Sequence, residues 1–367
     1  MLRPGLGAVT LTWGTGSLCD DEQMSPGVPA VDAVGLAAWC TDHLGSAPTV
    51  ELFRSGHLSA VIGLRLADKR EVVVKVRPAA PRIAACVEVQ RRMFESGYPC
   101  PEPLGGPALF GNGMATAEAY VPGGDVLPGA EHAAQLSAEA FARLIGLAPR
   151  PAEVSSLDPA PSWAAWNHGG AGLWPRPEDD DVNLNEVDGP EWTDRAAGCA
   201  RDRLRAGAGE AVIGHCDWLA DNLRWRGDEL LVVHDWDSAV ADSEAVLVGF
   251  AAALYSTVSP GELATVEETD RFLDAYCDAR GRAFSADELQ RAWAAGVWTR
   301  AYDAKDQHVA GHAIVSLSEA EARERLRRAG IDERFRLSRI PLTTSGSFHR
   351  RTGRMSAVSG AGSLTAF

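Results

Sequence analysis

The stretch Gly214-His215-Cys216-Asp217-Trp218-Leu219-Ala220-Asp221-Asn222 decides how the rest of the chain is read. It contains His-x-Asp-x-x-x-x-Asn. Thirteen residues beyond Asn222 stands Asp235, within Val232-Val233-His234-Asp235-Trp236-Asp237. Leu230-Leu231-Val232-Val233 reads as a short buried strand, Arg226-Gly227-Asp228 as a turn, and Leu223-Arg224-Trp225 as the strand's hairpin partner. The pattern predicts one cleft that holds an Asp, an Asn five residues on, and a second Asp just past a strand end.

That spacing suits phosphoryl transfer of the kinase type. The charge of ATP must be shielded before an oxygen nucleophile can approach its terminal phosphate. Magnesium does this, held by one or two protein oxygens together with the phosphates. Asp217 is then the catalytic base or hydroxyl-orienting group, and Asn222 and Asp235 are the metal ligands.

Such a site also needs a cation on the phosphates and an anion to position it. Glu71-Val72-Val73-Val74-Lys75-Val76 is an apolar strand interrupted by one lysine, and a buried lysine calls for a partner. Thirteen residues later Glu88 stands in a segment of helical periodicity, with Cys86, Val89 and Met93 on one stripe. Glu88 is the expected partner of Lys75. Upstream, Leu52-Phe53-Arg54-Ser55-Gly56-His57-Leu58-Ser59 lies between two predicted strands. It lacks G-x-G-x-x-G. Ser55 and Gly56 fit a loop covering phosphates through backbone N–H groups, and equally an ordinary hairpin turn.

Taken in order, these residues resemble the aminoglycoside phosphotransferase family, whose choline, homoserine and fructosamine kinase-like relatives share a protein-kinase-like fold. The resemblance covers residues 50–330. It is carried by Lys75, Glu88, Gly97-Tyr98-Pro99-Cys100-Pro101-Glu102-Pro103, His215-x-Asp217-x4-Asn222 and Asp235-Trp236-Asp237. It implies an α+β fold of two lobes, a small antiparallel β lobe with one helix and a larger, mainly helical lobe. It implies that Lys75 contacts phosphates, Glu88 holds Lys75, Asp217 is catalytic, Asn222 and Asp235 bind Mg2+, and His215 braces the loop. Ala117-Glu118-Ala119-Tyr120-Val121-Pro122-Gly123-Gly124 resembles the inter-lobe hinge, where backbone groups of Glu118 to Tyr120 would meet adenine. The chain departs from the family pattern at Cys216, where Gly is usual, and in Trp218-Leu219-Ala220-Asp221. The expected activity is ATP- and Mg2+-dependent phosphorylation of a small-molecule hydroxyl. The alternative is a nucleotide-binding scaffold without turnover. A protein kinase is disfavoured by the missing Asp-Phe-Gly and Ala-Pro-Glu motifs.

At 367 residues, 46% hydrophobic and 23% charged, the chain suits a sizeable core in two lobes. The expected organisation is an extension over 1–23, a nucleotide lobe over 24–121, a catalytic and substrate lobe over 122–333, and a basic tail over 334–367. Extension and tail both read as disordered. No stretch reaches the length of a membrane-spanning helix. Seven scattered cysteines without metal spacing predict free thiols in a reducing cytoplasm, with Cys216 a packing residue. The net charge is −15, yet residues 334–367 hold six Arg and no acids, so the body is six charges more negative still. That argues against nucleic acid and suits a cationic acceptor such as an aminoglycoside or amino sugar, although acidic surfaces also serve solubility.

Helices are expected over 31–44, 137–147 with Ser137 as N-cap, 194–205, 245–256, 266–279 and 286–312. Another, over 318–329, reads as solvated. Residues 149–190 read as an irregular insertion shaping substrate access. Core packing is the favoured role for most of the eleven tryptophans, with the wall of a sugar or cation site as the alternative for Trp163, Trp166 and Trp174. Two of Asp237, Asp242, Glu244, Asp303 and Asp306 are expected to touch the acceptor.

Overall fold

The computed structural model describes residues 28–127, 132–177, 182–207, 209–256 and 263–331. The expected extension, the basic tail and the acidic run Asp179-Asp180-Asp181 lie outside them.

The first helix, α1 (Ala33–Leu44), starts where the Asp32 carboxylate accepts the Gly35 N–H at 2.8 Å. It stops at Gly45, whose left-handed conformation (φ 71°) releases the chain. Five strands follow, interrupted by one helix: β1 (Pro48–Ser55), β2 (Ala60–Leu66), β3 (Glu71–Pro78), α2 (Ile83–Glu95), β4 (Pro103–Phe110) and β5 (Gly113–Ala119). They form one antiparallel sheet in the order β1-β2-β3-β5-β4. Alternation along β3 separates its two faces. Val72, Val74 and Val76 join Ile62, Leu64, Ala115 and Ala117 in an apolar cluster closed by Leu36, Trp39, Cys40 and Leu44 of α1. Lys75 and Arg77 therefore share the opposite face with Thr116, directly across from Lys75, and with Glu118, diagonal to it.

The remaining described chain is mainly helical. It comprises α3 (Ala133–Leu147), α4 (Glu191–Arg205), β6 (Ala211–His215), β7 (Leu223–Arg226), β8 (Glu229–Val233), β9 (Ala239–Ser243), α5 (Glu244–Leu254), α6 (Val266–Arg280), α7 (Ala286–Val309) and α8 (Glu319–Arg328). Helix α5 is apolar on all sides and buried from Ala245 to Leu254, as the central element of this lobe must be. It packs on α7, which also packs on α4, while α3 packs on α6. Capping boxes at Thr265/Glu268 and Ser285/Glu288 open α6 and α7.

Two expectations need correction. The helix expected from Ser137 begins at Ala133, and Ser137 is buried inside it, where its hydroxyl accepts the Trp218 indole N–H at 2.9 Å. Helix α8 is not merely solvated. Its Arg325 is fully buried, donating to the Ala264 carbonyl, Thr269 Oγ1 (3.1 Å) and Glu321 (2.8 Å). A charge-rich helix hides such an arginine well, because its periodicity carries almost no apolar signal.

Candidate functional site

Strand β6 pairs with β9 and delivers His215 to the core opposite Ala239. The His215 ring is fully buried. Its Nδ1 accepts the Asp217 N–H at 3.3 Å, so Nε2 carries the proton and donates to the His234 carbonyl at 3.0 Å. Burial holds the ring's pKa below the ordinary histidine value, so it stays neutral and serves as a brace. Cys216 and Trp218 are fully buried on either side of Asp217. Trp218 packs edge-on against Phe141 at 4.9 Å, anchoring the loop from beneath.

A short 3-10 turn, Ala220–Asn222, then brings Asn222 back to the loop's start. Its amide nitrogen donates to the Asp217 carbonyl and to Asp217 Oδ2, each at 2.9 Å. With the nitrogen so engaged, the amide oxygen of Asn222 is left to face elsewhere as an acceptor.

The β7–β8 hairpin turns at Gly227 (φ 60°), and the Val233 N–H donates to the Pro99 carbonyl at 2.8 Å. Asp235 follows in a left-handed conformation (φ 58°, ψ 52°), uncommon for a residue with a side chain and frequent at functional sites. Its Oδ1 lies 3.4 Å from Lys75 Nζ. Burial pushes the Asp235 carboxyl up, but the positive charges led by Lys75 outweigh it and hold it below the ordinary value. Asp217 goes the other way. Burial, then the charge of Asp235, push it up to about 7.

The lysine's other partner is not the expected one. Lys75 Nζ lies 3.7 Å from Glu118 Oε1, on the neighbouring strand and the same sheet face. Glu88 instead pairs with Arg91 (2.9 Å) and Arg92 (2.8 Å). The buried stripe of α2 runs through Cys86, Val89, Gln90 and Met93. Glu88, two residues before Gln90, is turned some 200° away from it at about 100° per residue. The Ala119 and Tyr120 N–H groups extend the sheet, donating to the carbonyls of Glu102 (2.8 Å) and Glu71 (3.0 Å), so these donors are already engaged. Glu118, for which only a backbone role was expected, also offers its side chain to Lys75.

The family model described as the phosphotransferase enzyme family (APH) matches residues 49–293. This chain belongs to that family. A search of curated proteins found no match. Solved structures similar to this phosphotransferase include spectinomycin phosphotransferase APH(9)-Ia in complex with ADP and spectinomycin, at 10% identity and TM-score 0.50 over 83% of this chain and 98% of that one. A thermostable mutant of aminoglycoside phosphotransferase APH(4)-Ia in complex with ADP and hygromycin B is similar at 14% identity and TM-score 0.50, over 81% and 97%. A Ralstonia eutropha protein assigned to the aminoglycoside phosphotransferases is similar at 16% identity and TM-score 0.50, over 82% and 96%. The fold of this phosphotransferase is α+β and kinase-like, with its sheet and helical lobes as expected. No helix among its described residues is long and apolar enough to cross a membrane.

On the acceptor side, Asp237, Asp242 and Glu244 of the candidate acids are held by the following partners in the phosphotransferase. Asp237 pairs with Arg77, which is buried on the sheet face beside Lys75. Asp242 accepts from the Trp166 indole at 2.7 Å and the Ser243 N–H at 2.6 Å. Glu244 holds Tyr276 (2.7 Å), Arg280 (3.0 Å) and Arg282 (3.4 Å). Asp303 on α7 has no hydrogen bond or ion pair among the described residues, and its field reaches Asp217. Burial, then the charge of Asp306, push it up to about 7. Trp174 belongs to the core, packing on Trp298 at 5.6 Å with its N–H on Asp194.

The residues fit a nucleotide and a divalent cation. At the β1–β2 turn, the Ser55 hydroxyl is buried without a partner, free to donate to a phosphate oxygen. Gly56 (φ 135°) turns the chain so tightly that a Cβ would strike the Ser59 carbonyl. Asn222 and Asp235 supply the hard oxygen donors magnesium takes. Among the described residues no group of three or more His, Cys, Asp or Glu forms a metal cage. Sequence reading missed Gln90 and Arg77, although each carried a signal. Gln90 lies on the buried stripe four residues after Cys86, and Arg77 repeats Lys75 at the period of a strand.

Proposed function

We propose that the phosphotransferase is an ATP- and magnesium-dependent kinase of small molecules, acting on a hydroxyl of a cationic acceptor. The observation that carries this reading is the convergence of four side chains from distant sequence positions. Asn222 bonds Asp217 at 2.9 Å, and Lys75 bonds Asp235 at 3.4 Å.

Asp217 orients the acceptor hydroxyl and takes its proton on a carboxylate oxygen. The acceptor oxygen bonds to the terminal phosphorus as the bond from phosphorus to the departing ADP oxygen breaks. A carboxyl pushed up to about 7 is well matched to hold that proton near neutral pH. Asn222 fixes the rotamer of Asp217, and Lys75 meets phosphate oxygens as a point charge. Asn222 and Asp235 would hold magnesium, which, when bound, neutralises phosphate charge.

A cationic acceptor is supported by the net charge of −15 and by the unpaired Asp303 carboxylate near Asp217. The spectinomycin and hygromycin B bound by the similar structures are in keeping with an antibiotic acceptor, and so with a role in resistance.

The test is ADP release with magnesium and ATP across aminoglycosides, amino sugars, choline, homoserine and basic peptide antibiotics, with Asp217→Ala as control. Acceptor-dependent release that is lost in the variant supports the kinase. ATP binding without release for any acceptor favours the scaffold reading.

A further inference from the structure

We propose that Glu118, aligned by Gln90, is the positioning carboxylate of the phosphate-binding lysine, so that the angle of α2 is read through an amide and a strand residue. The inference rests on the functional reading of Lys75 given above.

Four contacts form one chain. Gln90 Nε2 donates to the Pro101 carbonyl and to Glu118 Oε2, both at 2.9 Å. Glu118 Oε1 lies 3.7 Å from Lys75 Nζ, which lies 3.4 Å from Asp235 Oδ1. Gln90, Glu118 and Lys75 are each at least nine-tenths buried. In so dry a place a carboxylate with one oxygen on an ammonium and the other on an amide is well satisfied. Loss of either partner leaves a charge or a polar group without compensation. Gln90 uses both its N–H groups, so its orientation is fixed by Pro101 and cannot drift without releasing Glu118. Lys75 is thus held between two carboxylates, one on the sheet and one at the metal-binding turn. Glu118 gives the ammonium a second anion besides Asp235, to which it donates at 3.4 Å, so its position does not rest on Asp235 alone. Glu88, engaged with Arg91 and Arg92, takes no part.

The experiment is calorimetric binding of ATP with magnesium, and of adenosine, to the full chain and its variants. It needs no acceptor. Glu118→Gln and Lys75→Ala should each weaken ATP binding by about tenfold or more while sparing adenosine, as loss of an outer partner of a ligating group commonly does. Glu88→Gln should bind both like the parent. The exchange Gln90→Glu with Glu118→Gln returns one carboxylate and one amide to the pair, and should recover ATP binding relative to Glu118→Gln alone. A damaged Lys75→Ala beside an unaffected Glu118→Gln, an equal loss for ATP and adenosine in Glu118→Gln, or a loss in Glu88→Gln would overturn the inference alone. Should Glu118→Gln fail to fold, Glu118→Asp keeps the charge on a shorter arm, and unchanged ATP binding there overturns it too. An unaffected Lys75→Ala, or a parent that does not bind ATP, removes the functional reading and this inference with it.

Discussion

The Asn222 amide donates simultaneously to the main-chain carbonyl and the side-chain carboxylate of Asp217, at 2.9 Å each. One residue therefore sets both the path of the loop and the rotamer of its acid. Asp217→Ala removes the proposed proton acceptor and leaves Lys75, Asp235 and the β1–β2 turn in place. Turnover should fall by about 100- to 10,000-fold with nucleotide affinity retained, read by steady-state ADP release beside calorimetry. Full activity in the variant would exclude Asp217 from proton transfer.

Asp303 gives a prediction on stability. Its folded value of about 7 lies above the unfolded value of about 3.9. An acid raised on folding weakens the folded state as pH climbs between the two values. Asp303→Asn should therefore melt higher than the parent at pH 7, with a gap that closes toward pH 4. A gap independent of pH would show that the carboxylate is not disfavoured in the fold.

Glu244 should behave in the opposite sense. Burial pushes its carboxyl up, but the hydrogen bonds from Arg280 and Tyr276 and the charges of Arg280 and Arg282 outweigh burial, so the net shift is downward. Its contribution to stability is present above the unfolded value and is lost as pH falls through the lower folded one. Glu244→Gln should cost most at neutral pH and least in acid, as read by chemical denaturation at several pH values.

The Arg77–Asp237 pair joins β3 to the turn that carries Asp235. Asp237→Ala would take the ion-pair partner from a buried guanidinium and leave it its hydrogen bond to Thr116, and unfolding should become easier by about 3–5 kcal/mol. Replacing both residues together, Arg77→Met with Asp237→Leu, should recover much of that loss, because no unpaired charge remains. A double variant no better than the single one would show that Asp237 stabilises through something other than Arg77.

The parts of this site that were legible in the sequence are those set by local spacing. Asp217 and Asn222 are separated by a single turn, and Asp235 follows a strand whose apolar run is unmistakable. The partner of Lys75 was not legible. Its choice depends on which side of α2 faces the sheet and on a diagonal between β3 and β5, and neither is encoded by sequence distance. Ser137 was misread for a related reason. A serine near a helix start suggests a cap, but this one answers an indole 81 residues away. Arg325 escaped notice because burial by hydrogen bonding leaves no hydrophobic trace in a charged helix.

The two-faced character of β3 gives the strand something like a reading frame. Lys75 and Arg77 fall on the polar side only while Val73 stays opposite Glu118 and Lys75 opposite Thr116. One residue inserted between Glu71 and Lys75 would turn both cations into the valine layer beneath α1, and the proposed phosphate contact and the β3 latch would vanish in a single event. Two inserted residues would restore the phase.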